Sequence, residues 1–359
     1  MGDQTSKPKE ALGLMSSWGL TVSRIRLALV GISVALAATA CGSSALGAAP
    51  IGPDGPLVKQ LTSEVSDARA MKHLQALQKI ADEHGDNRAS GTSGYDASVR
   101  YVVGVLRRAG FKVTTPTYQA DDGRRSSGPE RNVIAQTRTG DPGNVVMIGA
   151  HLDSVEDGPG IVDNGSGVAS LLEIATQLSA DPSVQNTVRF AFFGGEENGA
   201  EGSNGYVQGL SNADRKKIKL YLNVDMVASR NGGYFVQGGE GRDTDEAGPP
   251  GSATIGRVLA DQLAKTGVTK PEIIEFVGDD ESPFIEAGIP VGGAENGDAE
   301  RKTTGQAKAW GGQARERYDP CYHEACDRID NVNRDVLNHY LRALAGTLAH
   351  FATSTAELR

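Results

Sequence analysis

Three uninterrupted apolar runs constrain this chain more than anything else in it: "NVVMIGA" at 144–150, "VRFAFF" at 188–193 and "YLNV" at 221–224. Runs of this kind suit strands covered on both faces. Each ends abruptly in residues that dislike burial. His151 and Asp153 follow the first, Glu196 and Glu197 follow the second, and Asp225 closes the third. Adjacent carboxylates at a strand end repel each other and lose hydration, so a positive charge is expected beside Glu196 and Glu197.

Strand and helix patterns alternate from residue 111 onward. Strands are expected at 111–118, 131–137, 144–150, 187–193, 218–225, 233–237, 272–276 and 289–294. Helices are expected at 166–179, 201–209, 251–266, 282–287 and 333–353. Before them, "SEVSDARAMKHLQALQKIADEHG" places Val65, Ala68, Met71, Leu74, Leu77 and Ile80 at three-residue steps with Gly85 as a stop, and a second helix ends at Gly110. The pattern predicts a single α/β domain over 61–359, a three-layer α/β/α sandwich on a central mixed sheet. There is no internal repeat.

The first 60 residues read differently. Arg24 and Arg26 precede "LALVGISVALAATA", which has the length of a signal-peptide core and is too short to favour a spanning helix. Met15 offers an alternative start, because "MSSWGLTVSRIR" is an ordinary n-region. The reading is a signal peptide over 1–40 and a Gly/Pro/Ser/Ala tether over 41–60. Cys41 followed by Gly-Ser-Ser resembles a bacterial lipoprotein processing site, with Ala38 where Leu is usual. The alternative is an ordinary signal-peptidase cut. Either way the chain is expected to be exported, as a membrane-anchored lipoprotein or a secreted protein. The remaining cysteines, Cys321 and Cys326, form an even pair suited to an oxidising compartment, or else two free thiols. A net charge of −9 argues against nucleic acid or an anionic lipid surface as partner. Membrane contact is expected only through a lipid on Cys41.

Open α/β sheets bind ligands at the carboxyl ends of their strands. His151, Asp163, Glu197, Asp225 and His323 supply two imidazoles and three carboxylates there. That mixture suits zinc with an open coordination position. Five donors exceed the three usual for one catalytic zinc and suit two ions sharing one carboxylate. One of the paired glutamates would then bind metal while its neighbour takes a proton from the attacking water. Asp153, two residues after His151, is a candidate to hold the other ring nitrogen. Surface acids suit calcium, but no loop has calcium-ligand spacing.

"GAHLDS", "GIVDNGSG", "FFGGEENGAEGS", "LNVDMVAS" and "YDPCYHEACD", together with "NRASGTSGYDAS" at 87–98, resemble the secreted actinobacterial double-zinc leucyl aminopeptidases, in that family's order over about residues 60–353. The resemblance implies two zinc ions per chain, with cobalt as the other candidate metal. It implies His151 and Asp225 on one ion, Glu197 and His323 on the other, and Asp163 bridging. Glu196 would be the general base and Tyr322 a hydrogen-bond donor to the oxyanion. Asp153 would support His151, and Cys321–Cys326 would be a disulfide. The implied substrates are peptides with a free N-terminus and bulky apolar first residues, the α-ammonium being met by Glu196 and Asp225. The implied protein is a monomer. In one departure, "VGDDESPF" puts Gly278 where relatives carry an Arg that holds substrate backbone, which bears on substrate length and side-chain preference. Asp280 and Phe284 are retained and are expected to line the pocket.

Other enzymes on such a scaffold are a carboxypeptidase, an amidohydrolase or a glutaminyl cyclase. A carboxypeptidase needs a cationic clamp for the terminal carboxylate, and the sequence offers none. A cyclase needs no bridging geometry. A non-enzymatic binding module would have no need of all five donors, the base and the tyrosine together.

Overall fold

The computed structural model describes residues 54–120, 130–238 and 248–358. The apolar leader, Cys41 and most of the tether lie outside them. The chain opens with α1 (Pro56–Glu64), α2 (Asp67–Glu83) and α3 (Ser93–Arg108). It continues through β1 (Lys112–Thr114), β2 (Thr117–Tyr118), β3 (Glu130–Arg131), β4 (Val133–Gln136), β5 (Asp141–His151), α4 (Gly165–Leu178), β6 (Asn186–Phe193), α5 (Glu201–Gly209), α6 (Asn212–Arg215) and β7 (Ile218–Val224). Then come β8 (Phe235–Gln237), α7 (Ser252–Lys265), β9 (Glu272–Ile274), α8 (Ser282–Glu286), β10 (Val291–Glu295), α9 (Thr304–Trp310) and α10 (Arg334–Thr353).

Eight strands form one sheet in the order β1-β4-β6-β5-β7-β10-β8-β9. The centre, β6-β5-β7-β10, is parallel. The pairs β1–β4, β4–β6 and β10–β8 are antiparallel, and β9 runs parallel to β8 at the edge. The expected three-layer sandwich on a mixed sheet is therefore the observed fold. The apolar runs alternate between its two faces. Val146, Ile148, Val188, Phe190 and Phe192 join the core beneath α1, α2, α3, α4, α7 and α10. Met147, Ala191, Phe193 and Tyr221 join a second core with Val207 of α5 and Phe284 of α8. Fully burying a side chain of this size stabilises by about 1.5–3 kcal/mol, which is why consecutive positions such as Val145–Ile148 and Phe190–Phe193 are apolar rather than every second one.

Helix α4 is buried over nearly its whole length. Its one charge, Glu173, is 1% exposed and accepts from the Ser66 amide at 3.0 Å and from Arg69 Nε at 2.9 Å, tying α4 to the start of α2. A lone buried carboxylate would be costly, and this pairing removes the cost.

Several expectations need correction. The single helix read from residue 63 is two. Val65 is the C-cap of α1 and Ser66 the N-cap of α2. The buried stripe of α2 is Ala70, Leu74, Leu77 and Ala81, while Ala68 is exposed. A strict three-residue step drifts around a 3.6-residue helix, and the true stripe follows i, i+4, i+7. Helix α1 also begins inside the stretch assigned to the tether, with Val58 and Leu61 buried. The strand expected at 111–118 is broken between β1, which pairs with β4, and β2, which pairs with β3; Pro116 lies between them and brings no amide hydrogen to a ladder. Helices α6 and α9 were not expected. Among the described residues no helix is long and apolar enough to cross a membrane.

Leu172→Ala, in the middle of α4, should lower unfolding free energy by about 2–5 kcal/mol. Denaturant unfolding at fixed metal content measures this, and a loss below about 1 kcal/mol would contradict the tight packing of α4 between sheet and outer helices.

Candidate metal centre

His151 is the last residue of β5, and Leu152 still donates to Phe193 O at 2.6 Å. The chain then leaves the sheet. Asp153, fully buried, accepts from the amides of Glu196 (3.3 Å) and Glu197 (3.4 Å). One carboxylate thus shapes the turn after β6 that presents both glutamates. Its Oδ1 also lies 3.6 Å from His151 Nδ1, an ion-pair distance too long for a hydrogen bond.

Asp163 lies in the loop before α4, joined to Asn164 by a cis peptide. Asn164 caps α4 by accepting from Gly167 N at 3.0 Å. The same amide group donates to Val224 O (2.8 Å) and accepts from Met226 N (3.2 Å), on both sides of Asp225. Helix start and strand end are thereby fixed together, and Asp163 and Asp225 with them.

His323 comes from a distant loop, and its φ of +58° is unusual for a residue with a side chain. The Cys321–Cys326 disulfide closes around it, so the free-thiol alternative does not hold. Asp319 accepts from Cys321 N at 2.7 Å. Asn331 Nδ2 donates to Asp319 Oδ1 at 2.9 Å and also reaches Asp327 Oδ1 at 3.4 Å. The Asp327 carboxylate in turn accepts from Val162 N (2.9 Å) and Asp163 N (3.0 Å). A buried polar chain therefore joins the His323 loop to the Asp163 loop.

These supports bring five donors together in two groups that share a member. His151 Nε2 is 3.2 Å from Asp163 Oδ1 and 3.4 Å from Asp225 Oδ1. His323 Nε2 is 3.3 Å from Asp163 Oδ2 and 3.1 Å from Glu197 Oε2. His151–Asp163–Asp225 and Asp163–Glu197–His323 each have the compactness to hold one ion. Each oxygen of Asp163 faces one group. Glu197 Oε1 and Asp225 Oδ1 are buried and have no hydrogen-bond partner among the described residues, as suits carboxylates beside a cation site. Glu196 stands beside the pair, its Oε2 4.0 Å from His151 Nε2.

The electrostatics describe a centre short of positive charge. Burial raises the Glu197 carboxyl to about 7, and the charge of Asp163 adds to it. Burial likewise lifts Glu196 well above its ordinary range, against the pull of His151. Burial opposes ionisation of Asp163, but hydrogen bonds to His151 and His323 win and keep it below its usual value. Hydrogen bonds to Asp163 and Glu197 raise His323 to about 10.

A cavity of about 550 Å³ opens over the centre. Asp163, Glu196, Glu197, Asp225 and His323 line its floor, and Tyr322, stacked on His323 with ring centroids 3.8 Å apart, lines its side. Burial raises the Tyr322 hydroxyl far above its ordinary value, so it stays protonated and can donate. Met226, Phe235, Ile274 and Val277 add apolar wall, with Asp279 and Glu295 among them. Val277 is 53% exposed, an apolar side chain left at the mouth.

Two pocket expectations fail. Phe284 is fully buried in the second core, stacked on Tyr221 at 3.9 Å, and Asp280 is buried below the cleft. Neither lines the cavity; the neighbouring Asp279 does. The short helix α8 turns Phe284 into the second core, and Asp280 lies in the turn before it. Asn164, Asp319, Asp327 and Asn331 were missed as supports. Asp327 stood in a quoted motif, but an acid that serves backbone amides looks in sequence like any surface acid.

The pattern of peptidase family M28 matches residues 132–348. Leupeptin-inactivating enzyme 1 of Streptomyces exfoliatus is 40% identical over 336 residues, covering 91% of this chain and 70% of that protein. The probable lipoprotein aminopeptidase LpqL of Mycobacterium tuberculosis is 44% identical over 284 residues, 77% of this chain and 57% of that one. An aminopeptidase of Pseudomonas aeruginosa is 42% identical, and the chain spans 47% of it. The last two relatives thus extend well beyond the part they share with this chain. Among solved structures, a zinc aminopeptidase from Bacillus subtilis superposes with a TM-score of 0.63 at 16% identity, over 81% of this chain and 96% of that one. A glutaminyl cyclase from Porphyromonas gingivalis gives 0.62 at 20% identity, over 79% and 98%. At such identities the likeness is one of fold.

The metal-free protein should lose stability as pH rises between roughly 5 and 9. His323 and Glu197 both hold protons more tightly when folded, at about 10 against 6.5 and about 7 against 4.5. Raising pH then favours the unfolded chain: the His323 contribution is complete below 6.5 and is lost towards 10, and the cost of ionising Glu197 grows between 4.5 and 7. Melting temperatures of chelator-stripped protein test this, and a flat or rising profile across that window would contradict it.

Proposed function

The chain belongs to peptidase family M28, and from that membership and the geometry of the acidic cleft we propose that it is a zinc-dependent aminopeptidase with two ions per chain. The observation that carries the reading is the shared carboxylate of Asp163, one oxygen towards each histidine. His151 and Asp225 would hold one ion, Glu197 and His323 the other, and Asp163 both. Bound there, zinc would act as a Lewis acid on the scissile carbonyl and activate water near neutral pH.

The protein's own groups do the rest. Glu196 is half-buried, with its Oε2 4.0 Å from His151 Nε2, and holds a proton more readily than a surface glutamate. It can take the proton of the attacking water and deliver it to the leaving amine. The Tyr322 hydroxyl, on the wall of the same cavity, would donate to the oxyanion that forms. Glu196 and Asp225 also offer negative charge to a free α-ammonium, which explains a preference for chain ends. The apolar wall from Met226 to Val277 suits a bulky apolar first side chain.

Export through the leader, with a lipid on Cys41, is supported by the printed name of the LpqL relative. Peptides at the cell surface would then be the substrates. A glutaminyl cyclase shares the fold, but its reaction gives no reason for a carboxylate common to two donor groups.

Release of the chromophore from leucine p-nitroanilide, but not from its N-blocked form, is the expected activity. Glu196→Gln should lower kcat about 10²–10⁴-fold while zinc content by atomic absorption stays at two per chain. Asp163→Ala should lose zinc as well as activity. Near-normal turnover by Glu196→Gln would remove the base assignment, and conversion of N-terminal glutaminyl peptides in place of hydrolysis would favour the cyclase. Cys41→Ala should move the chain from the membrane fraction to the medium; continued membrane association would rule out the anchor.

A further inference from the structure

Arg88 lies just before α3, in the "NRASGTSGYDAS" stretch, and no role so far described uses it. It is among the largest fully buried side chains of the molecule. Among the described residues no ion pair is formed by its guanidinium. All three nitrogens donate to backbone carbonyls instead. Nε reaches Pro159 O at 2.9 Å, Nη2 reaches Gly160 O at 2.5 Å, and Nη1 reaches Leu152 O. The Arg88 amide donates to Ser154 Oγ at 2.9 Å.

The positions of those acceptors give the arrangement its meaning. Leu152 directly follows His151, and Gly160 lies three residues before Asp163. One side chain therefore grips both ends of the loop that separates a proposed ligand of one ion from the ligand common to both. The grip is tight. Gly160 has φ +60°, and a Cβ there would come within 2.3 Å of Asp163 O, 2.4 Å of Ser154 Cβ and 3.1 Å of Arg88 Nη2. The Asp327 carboxylate also holds Asp163, by accepting from its backbone N–H. Asp163 thus donates its N–H to Asp327, while Arg88 donates to the carbonyl of Gly160 three residues earlier.

Burying a guanidinium is expensive unless its donors are met. Here the carbonyls meet them, and the acids of the centre supply the opposing charge: Asp153, Asp327, Asp163 and Glu197 all act on Arg88. Only a planar fork with donors in fixed directions can serve three carbonyls from two segments at once; a lysine ammonium on a flexible stem cannot.

The geometry points to Arg88 as a positioning residue for the metal centre, which sets His151 and Asp163 at the spacing that two ions require. This inference rests on the dinuclear reading above. It touches neither ion nor substrate, and it acts through the backbone of the 152–163 loop.

The test uses the full chain, stripped with chelator and titrated with zinc against a chromophoric competitor. Wild type should take up two ions. Arg88→Lys should remain folded by circular dichroism and bind at least one ion about 10–100-fold more weakly. At limiting zinc its kcat on leucine p-nitroanilide should fall with KM unchanged, and added zinc should restore kcat. Wild-type zinc affinity in folded Arg88→Lys, or a rise in KM in place of the fall in kcat, would overturn the assignment. Should Arg88→Lys not fold, Ser154→Ala removes the acceptor of the Arg88 amide together with the bonds that Ser154 Oγ donates to Val155 O and Gly158 O in the same loop. It should weaken zinc several-fold in a folded protein, and unchanged affinity there would overturn the assignment too. A wild-type chain that binds no zinc would instead overturn the metal centre itself, so the two failures are distinct.

Discussion

Negative charge gathered where water is scarce governs this molecule. Asp153, Asp163, Glu196, Glu197 and Asp225 meet at one edge of the sheet, within reach of two histidines. Carboxylates so placed demand cations. The rest of the fold is organised to withstand that demand. The sheet beneath is apolar on both faces, so the strands that deliver the acids are anchored by two cores. Packing supplies rigidity, and rigidity lets like charges stay close until an ion neutralises them.

The loops carry a second level of control. No donor is left to its own flexibility. Asp153 sets the glutamate turn, Asn164 locks a helix start to a strand end, and Asp327 with Asn331 links two loops that are far apart in sequence. Polar side chains here serve backbone groups more often than one another. Each such bond is modest alone, on the order of 1 kcal/mol, but together they fix the relative placement of groups that repel.

The legible part of the sequence was the part governed by period and by chemistry. Continuous apolar runs announced β5, β6 and β7, and the acids at their ends announced the edge where a ligand would sit. His151, Asp163, Glu197, Asp225 and His323 were identifiable as residue types without hydrophobic purpose, and the structure brings them together. The supports were not legible, because Asn164, Asp327 and Arg88 act on backbone atoms, and a backbone acceptor leaves no mark on the side-chain pattern. Phe284 was misjudged for the opposite reason. An aromatic beside acids suggests a pocket wall, yet its helix turns it towards Tyr221, and only tertiary packing decides that. The stripe of α2 was misread because steps of three and of four look alike over two turns.

The edge position of β9 has a consequence for how such a protein can diversify. The stretch after it supplies Val277 and Asp279 to the cavity wall, and β9 itself is paired on one side only. It contributes no donor to either ion group. Insertions, deletions or exchanges in this margin would therefore change the cavity wall while leaving the two donor groups untouched. On the function proposed above, local change at this rim would be a route to new substrate ranges.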